Sequence, residues 1–96
     1  MTDTKKPVLE VRDLTVSLPA GVALHARPAA ELVRAAGRLP VAVTVSANGK
    51  QANAKSVLQI LALGATAGAQ ITLSASGSGA EDAVTTLAEV VAGLKA

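Results

Sequence analysis

The chain has 96 residues, half of them apolar, with no Phe, Tyr, Trp or Cys, and a formal net charge of +2. That length allows one domain with a modest core, built here from Leu, Val, Ile and Ala. Without Cys there is no disulfide framework, thiolate metal site or cysteine nucleophile, and scattered basic residues without aromatic side chains argue against nucleic acid as a partner.

Residues 1–7 are polar and are expected to form a flexible N-terminal extension ahead of a single domain over 8–96. Glu10, Arg12 and Asp13 interrupt any apolar run near Lys5 and Lys6, so neither a signal peptide nor membrane insertion is expected and the chain reads as cytoplasmic. Leu14, Val16 and Leu18 alternate with Thr15 and Ser17, the period of a half-buried strand ending at Pro19. Leu9 and Val11 fall on the opposite parity, which predicts a bulge near Arg12 or a twisted extension. After a loop over 19–24, Ala29, Leu32, Val33 and Ala36 mark one face of a helix that Gly37 weakens and Pro40 stops.

Val41, Val43 and Val45 predict a second strand, and Asn48-Gly49 a tight hairpin into a short third strand over 51–54. Ser56 with Gln59 reads as a capping box opening a second helix that ends near Gly64. Ile71, Leu73 and Ala75 alternate with Thr72, Ser74 and Ser76 as a fourth strand. Ala83, Val84, Leu87, Val90, Val91 and Leu94 share one face of a closing helix. The order β-α-β-β-α-β-α, with alternating strands and no continuous apolar run, predicts an α+β open-faced sandwich whose sheet is covered by helices on one face and wet on the other.

Two places carry more than fold information. In the second helix, Val57, Leu58, Ile60, Leu61 and Leu63, at 100° per residue, cover an arc of about 220°, more than one packed face needs. Ile60 and Leu63 suit the core, which leaves Leu58, with Val57 and Leu61, as a candidate partner-binding patch; a deeper core is the plainer alternative. The other place is Leu24-His25-Ala26-Arg27-Pro28-Ala29-Ala30, where the single histidine precedes a helix start. Pro28 is tolerated in a first turn because its missing N–H has no intrahelical partner there. Unpaired N–H groups and the positive end of the helix dipole make that end an anion site, and Arg27 can grip two phosphate oxygens. Histidine is a competent covalent nucleophile, so a phosphoryl group suits His25. A plain helix cap is the alternative for a lone histidine, and a solvated charge for Arg27.

His25-Ala26-Arg27-Pro28-Ala29, followed by Ala54-Lys55-Ser56-Val57 and then by Leu63-Gly64-Ala65 and Gly68, resembles the HPr family, the histidine-containing phosphocarriers of the bacterial phosphoenolpyruvate-dependent sugar phosphotransferase system. The resemblance runs from about Leu14 to Leu94. It implies a four-stranded antiparallel sheet in the order 1-4-2-3 under three helices. It implies a stoichiometric carrier, not an enzyme, that takes a phosphoryl group from enzyme I onto Nδ1 of His25, with Arg27 stabilising it, and hands it to sugar-permease IIA domains. It also implies that Val57, Leu58 and Leu61 meet these partners, and that Ser56 is a regulatory site for a serine kinase, beside its capping role. No metal or cofactor is implied. Ala23 stands where most members have glycine and Gly21 lies two positions earlier, so the loop over 19–24 is expected to take its own path. The same chemistry in a specialised system, such as dihydroxyacetone kinase or a regulatory nitrogen branch, and a nonphosphorylated regulatory module are the alternatives. A hydrolase is disfavoured, because His25 has no evident general-base or metal company.

Overall fold

The computed structural model describes residues 11–95, so the expected extension over 1–7 and the parity of Leu9 lie outside the described residues. Seven elements follow one another: β1 (Val11–Ser17), α1 (Ala26–Gly37), β2 (Val43–Ala47), β3 (Lys50–Asn53), α2 (Val57–Ala62), β4 (Gln70–Ser76) and α3 (Ala80–Ala92). The strands form one antiparallel sheet in the order β1-β4-β2-β3, the order that the family resemblance implies.

Strand alternation decides which side of the sheet is dry. Val43, Val45, Ile71, Leu73 and Ala75 are buried under the helices together with Leu32, Ile60, Leu63, Leu87 and Val91. Their neighbours in sequence form the open face, where the Thr15 and Thr72 hydroxyls meet at 2.9 Å and Ser74 donates to Asp13 Oδ1 at 2.6 Å. These cross-strand bonds tie β1, an edge strand, to β4 on the wet side, where packing cannot.

Three expectations need correction. Of the two expectations for the parity of Val11, the bulge near Arg12 does not occur: β1 pairs with β4 without interruption from Val11↔Ser76 to Ser17↔Gln70. Val11 therefore falls on the open face and stays 59% exposed, because an unbroken pleat fixes its side regardless of its hydrophobicity. The second strand begins at Val43; Val41 precedes it, half-buried, against the core. At α2 the capping box is only half formed. Ser56 Oγ accepts from the Gln59 N–H at 3.2 Å, but Gln59 Oε1 does not return to Ser56. It accepts from the Asn53 N–H at 2.8 Å instead, while Ser56 N–H donates to the Asn53 carbonyl. The end of strand β3 competes for the same side chain and wins, since its terminal amide also needs an acceptor.

The Asn48-Gly49 hairpin forms as expected, with φ of 54° and 73° at its two loop residues. Asn48 does a second job. Its side-chain amide donates to the carbonyls of Leu63 (2.9 Å) and Gly64 (3.2 Å), satisfying carbonyls just beyond the end of α2. Lys50 Nζ reaches the Ala62 carbonyl at 3.4 Å, so the hairpin and the short helix hold each other.

Candidate functional site

The site begins with how the chain enters α1. Leu18 N–H donates to the Ala69 carbonyl at 2.9 Å as β1 ends, and Val22 N–H then bonds back to Pro19, closing a turn with Gly21 at φ 78°. That positive φ is why glycine serves at this position. Ala23 is not among the residues with positive φ, so the shift of glycine from 23 to 21 moves the turn without straining the alanine. Leu24 is buried, and its N–H donates to the Ala65 carbonyl at 3.1 Å. His25 N–H bonds to the Ala23 carbonyl at 2.8 Å. The loop is thus pinned at both ends to residues 65 and 69 across the molecule.

His25 is the N-cap of α1, in extended conformation, and its carbonyl accepts from Ala29 N–H at 2.9 Å. Its imidazole makes no capping bond and is exposed. The helix starts at Ala26, so Pro28 is its third residue, still within the first turn, where its missing N–H costs nothing. Ala26 and Arg27 each have an N–H with no intrahelical acceptor, and no acidic side chain lies in the first turn. The exposed guanidinium of Arg27 adds a permanent charge two residues from His25. Gly21, Ala23, His25, Arg27, Pro28 and Ala67 line one shallow hollow of about 290 Å³. Its walls are small and mostly apolar, and the first-turn N–H groups and Arg27 supply positive potential beside it.

Ser56 is half-buried and occupied as the α2 N-cap. Leu58 is 79% exposed, Val57 is half-buried, and Leu61 is half-buried and packed against the core, while Ile60 and Leu63 are fully inside. The surplus apolar arc therefore resolves into one projecting side chain with two partly covered neighbours. Sequence reading did not identify Ala67 as a wall of the His25 hollow or Ala65 as the acceptor for Leu24; alanine carries no local signal of either role. Among the described residues no helix is long and apolar enough to cross a membrane.

A family model described as the PTS HPr component phosphorylation site matches residues 11–93. The phosphocarrier protein HPr of Streptomyces coelicolor is 49% identical over 70 residues, covering 72% of this chain and 75% of that one. Among solved structures, a phosphocarrier protein HPr from Bacillus anthracis aligns with a TM-score of 0.79 at 36% identity, over 84% of this chain and 96% of that chain. HPr from Thermoanaerobacter tengcongensis gives 0.77 at 34% identity, over 83% and 90%.

Proposed function

The chain belongs to the HPr family of phosphotransferase-system phosphocarriers, and from that premise we propose that His25 is the residue on which it carries the phosphoryl group. The observation that carries this reading is the exposed, uncommitted imidazole of His25 at the N-cap of α1, two residues from Arg27. A ring nitrogen, assigned as Nδ1 from the family resemblance, attacks the phosphorus of the donor; the N–P bond forms as the bond to the donor breaks. Arg27 and the first-turn N–H groups offset the charge on the phosphoryl oxygens during transfer and in the product.

The donor in this reading is enzyme I, and the acceptors are sugar-permease IIA domains. Leu58, flanked by Val57 and Leu61, supplies apolar contact area for both. The protein acts stoichiometrically: it leaves each cycle unphosphorylated and needs neither metal nor cofactor. A phosphate on Ser56 would sit at the α2 N-terminus beside this patch, where it regulates docking. Incubation with phosphoenolpyruvate and enzyme I, followed by intact-mass measurement, tests the reading through the gain of one phosphoryl group.

A further inference from the structure

A second concave surface lies on the other side of Arg27, between α1 and the end of α3. It is an open groove of about 550 Å³, lined by the exposed Arg27, Glu31, Arg34, Gly93 and Lys95 and the half-buried Ala30. Arg27 and Arg34 are seven residues apart, which puts them on one face of α1 about 10 Å apart along its axis. Lys95 faces the same space from just beyond Gly93, the C-cap of α3, and the small Ala30 and Gly93 keep the space open. Among the described residues that line the groove, three cations thus face one carboxylate, that of Glu31. None of the three forms an ion pair among the described residues, whereas Arg12 pairs with Glu81 at 3.8 Å.

Such a site suits a ligand with two linked phosphoryl groups. A guanidinium binds phosphoryl oxygens in a fork, and two guanidiniums whose long side chains line one groove offer two forks. The groove has room for a small molecule, about 550 Å³. We propose that the groove between α1 and α3 binds a small bisphosphorylated molecule, with Arg34 and Lys95 as its anchors and Arg27 shared with the His25 site. Occupancy draws Arg27 away from His25 and slows phosphoryl transfer. The binding claim stands on the groove alone; the kinetic consequence rests on the phosphocarrier reading.

The test is an amide NMR titration of the full chain with inorganic pyrophosphate and, separately, inorganic phosphate, at fixed ionic strength. Pyrophosphate is expected to give saturable shifts at Ala30, Glu31, Gly93 and Lys95, with a Kd about tenfold below that of phosphate, the value of one added charge-assisted hydrogen bond. Arg34→Ala, checked by circular dichroism for an intact fold, raises the Kd about tenfold. Saturating pyrophosphate slows phosphorylation of the parent more than that of Arg34→Ala. Equal affinity for the two anions, indifference to Arg34→Ala, absence of saturation, or shifts produced only by a polyglutamate peptide would each overturn the proposal. Intact pyrophosphate binding in a protein that enzyme I cannot phosphorylate would overturn the phosphocarrier reading alone.

Discussion

Leu24 donates its backbone N–H to the carbonyl of Ala65 at 3.1 Å, and this one bond joins the loop that delivers His25 to the turn that follows α2. The candidate acceptor and the candidate docking helix are therefore held in one frame, with Asn48 closing the far side of that frame against Leu63 and Gly64. Each of these bonds has a consequence that can be measured separately.

Amide exchange should distinguish the pinned part of the entry loop from the open part. Leu24 N–H, bonded and buried, should exchange slowly, and Ala26 and Arg27 N–H, at the unpaired helix start, should exchange fast. On phosphorylation the resonances of Ala26 and Arg27 should move most. Exchange at Leu24 as fast as at Ala26 would show that the link to Ala65 does not persist in solution.

Asn48→Asp tests the frame from its other side. The substitution keeps a residue tolerant of the 54° φ but removes both donors and puts a carboxylate against two carbonyls at the end of α2. A loss of about 1–3 kcal/mol in urea unfolding is expected, the cost of leaving such acceptors unsatisfied. Unchanged stability would mean that water replaces the side chain without penalty.

How much of this is legible in the sequence differs between levels of structure. The alternation of Ile71, Leu73 and Ala75, the Asn48-Gly49 pair and the helical faces of α1 and α3 read correctly, because each rests on a local periodicity or a local turn preference. Val11 misleads because hydrophobicity suggests one parity, whereas the unbroken pairing with β4 decides its side. Gln59 misleads because its spacing from Ser56 is local but its competing donor, Asn53 N–H, is set by where β3 ends. At the site, His25, Arg27 and Pro28 stand together in the chain and are visible together. Ala65 and Ala67 reach the same place only through the fold, and alanine offers no chemistry to flag it.

Ser56 separates capping from docking. Ser56→Ala removes the acceptor of the Gln59 N–H and should cost about 1 kcal/mol, lowering Tm by about 4–8 °C. Ser56→Asp retains an N-cap acceptor and suits the helix end, so its melting and circular dichroism should match the parent. It should nevertheless accept phosphoryl groups from enzyme I more slowly, as should Leu58→Asp. Parental rates in both variants would remove α2 from the docking surface; unfolding of Ser56→Asp would make the serine a structural cap only.

Arg27→Ala should slow transfer on the order of tenfold to a hundredfold, the worth of one charge-assisted hydrogen bond in the transition state, with the fold intact because the side chain is exposed. Arg27→Lys should recover part of the rate, since the charge remains and the fork does not. Transfer kinetics unchanged in Arg27→Ala would show that the first-turn N–H groups suffice.

The most direct test is the intact mass of the parent and of His25→Ala after incubation with phosphoenolpyruvate and enzyme I. His25 is the single histidine of the chain. The parent should gain one phosphoryl group that is lost in acid and kept in base, and His25→Ala should gain none. Equal phosphorylation of the two proteins would contradict the assignment of His25 as the carrier.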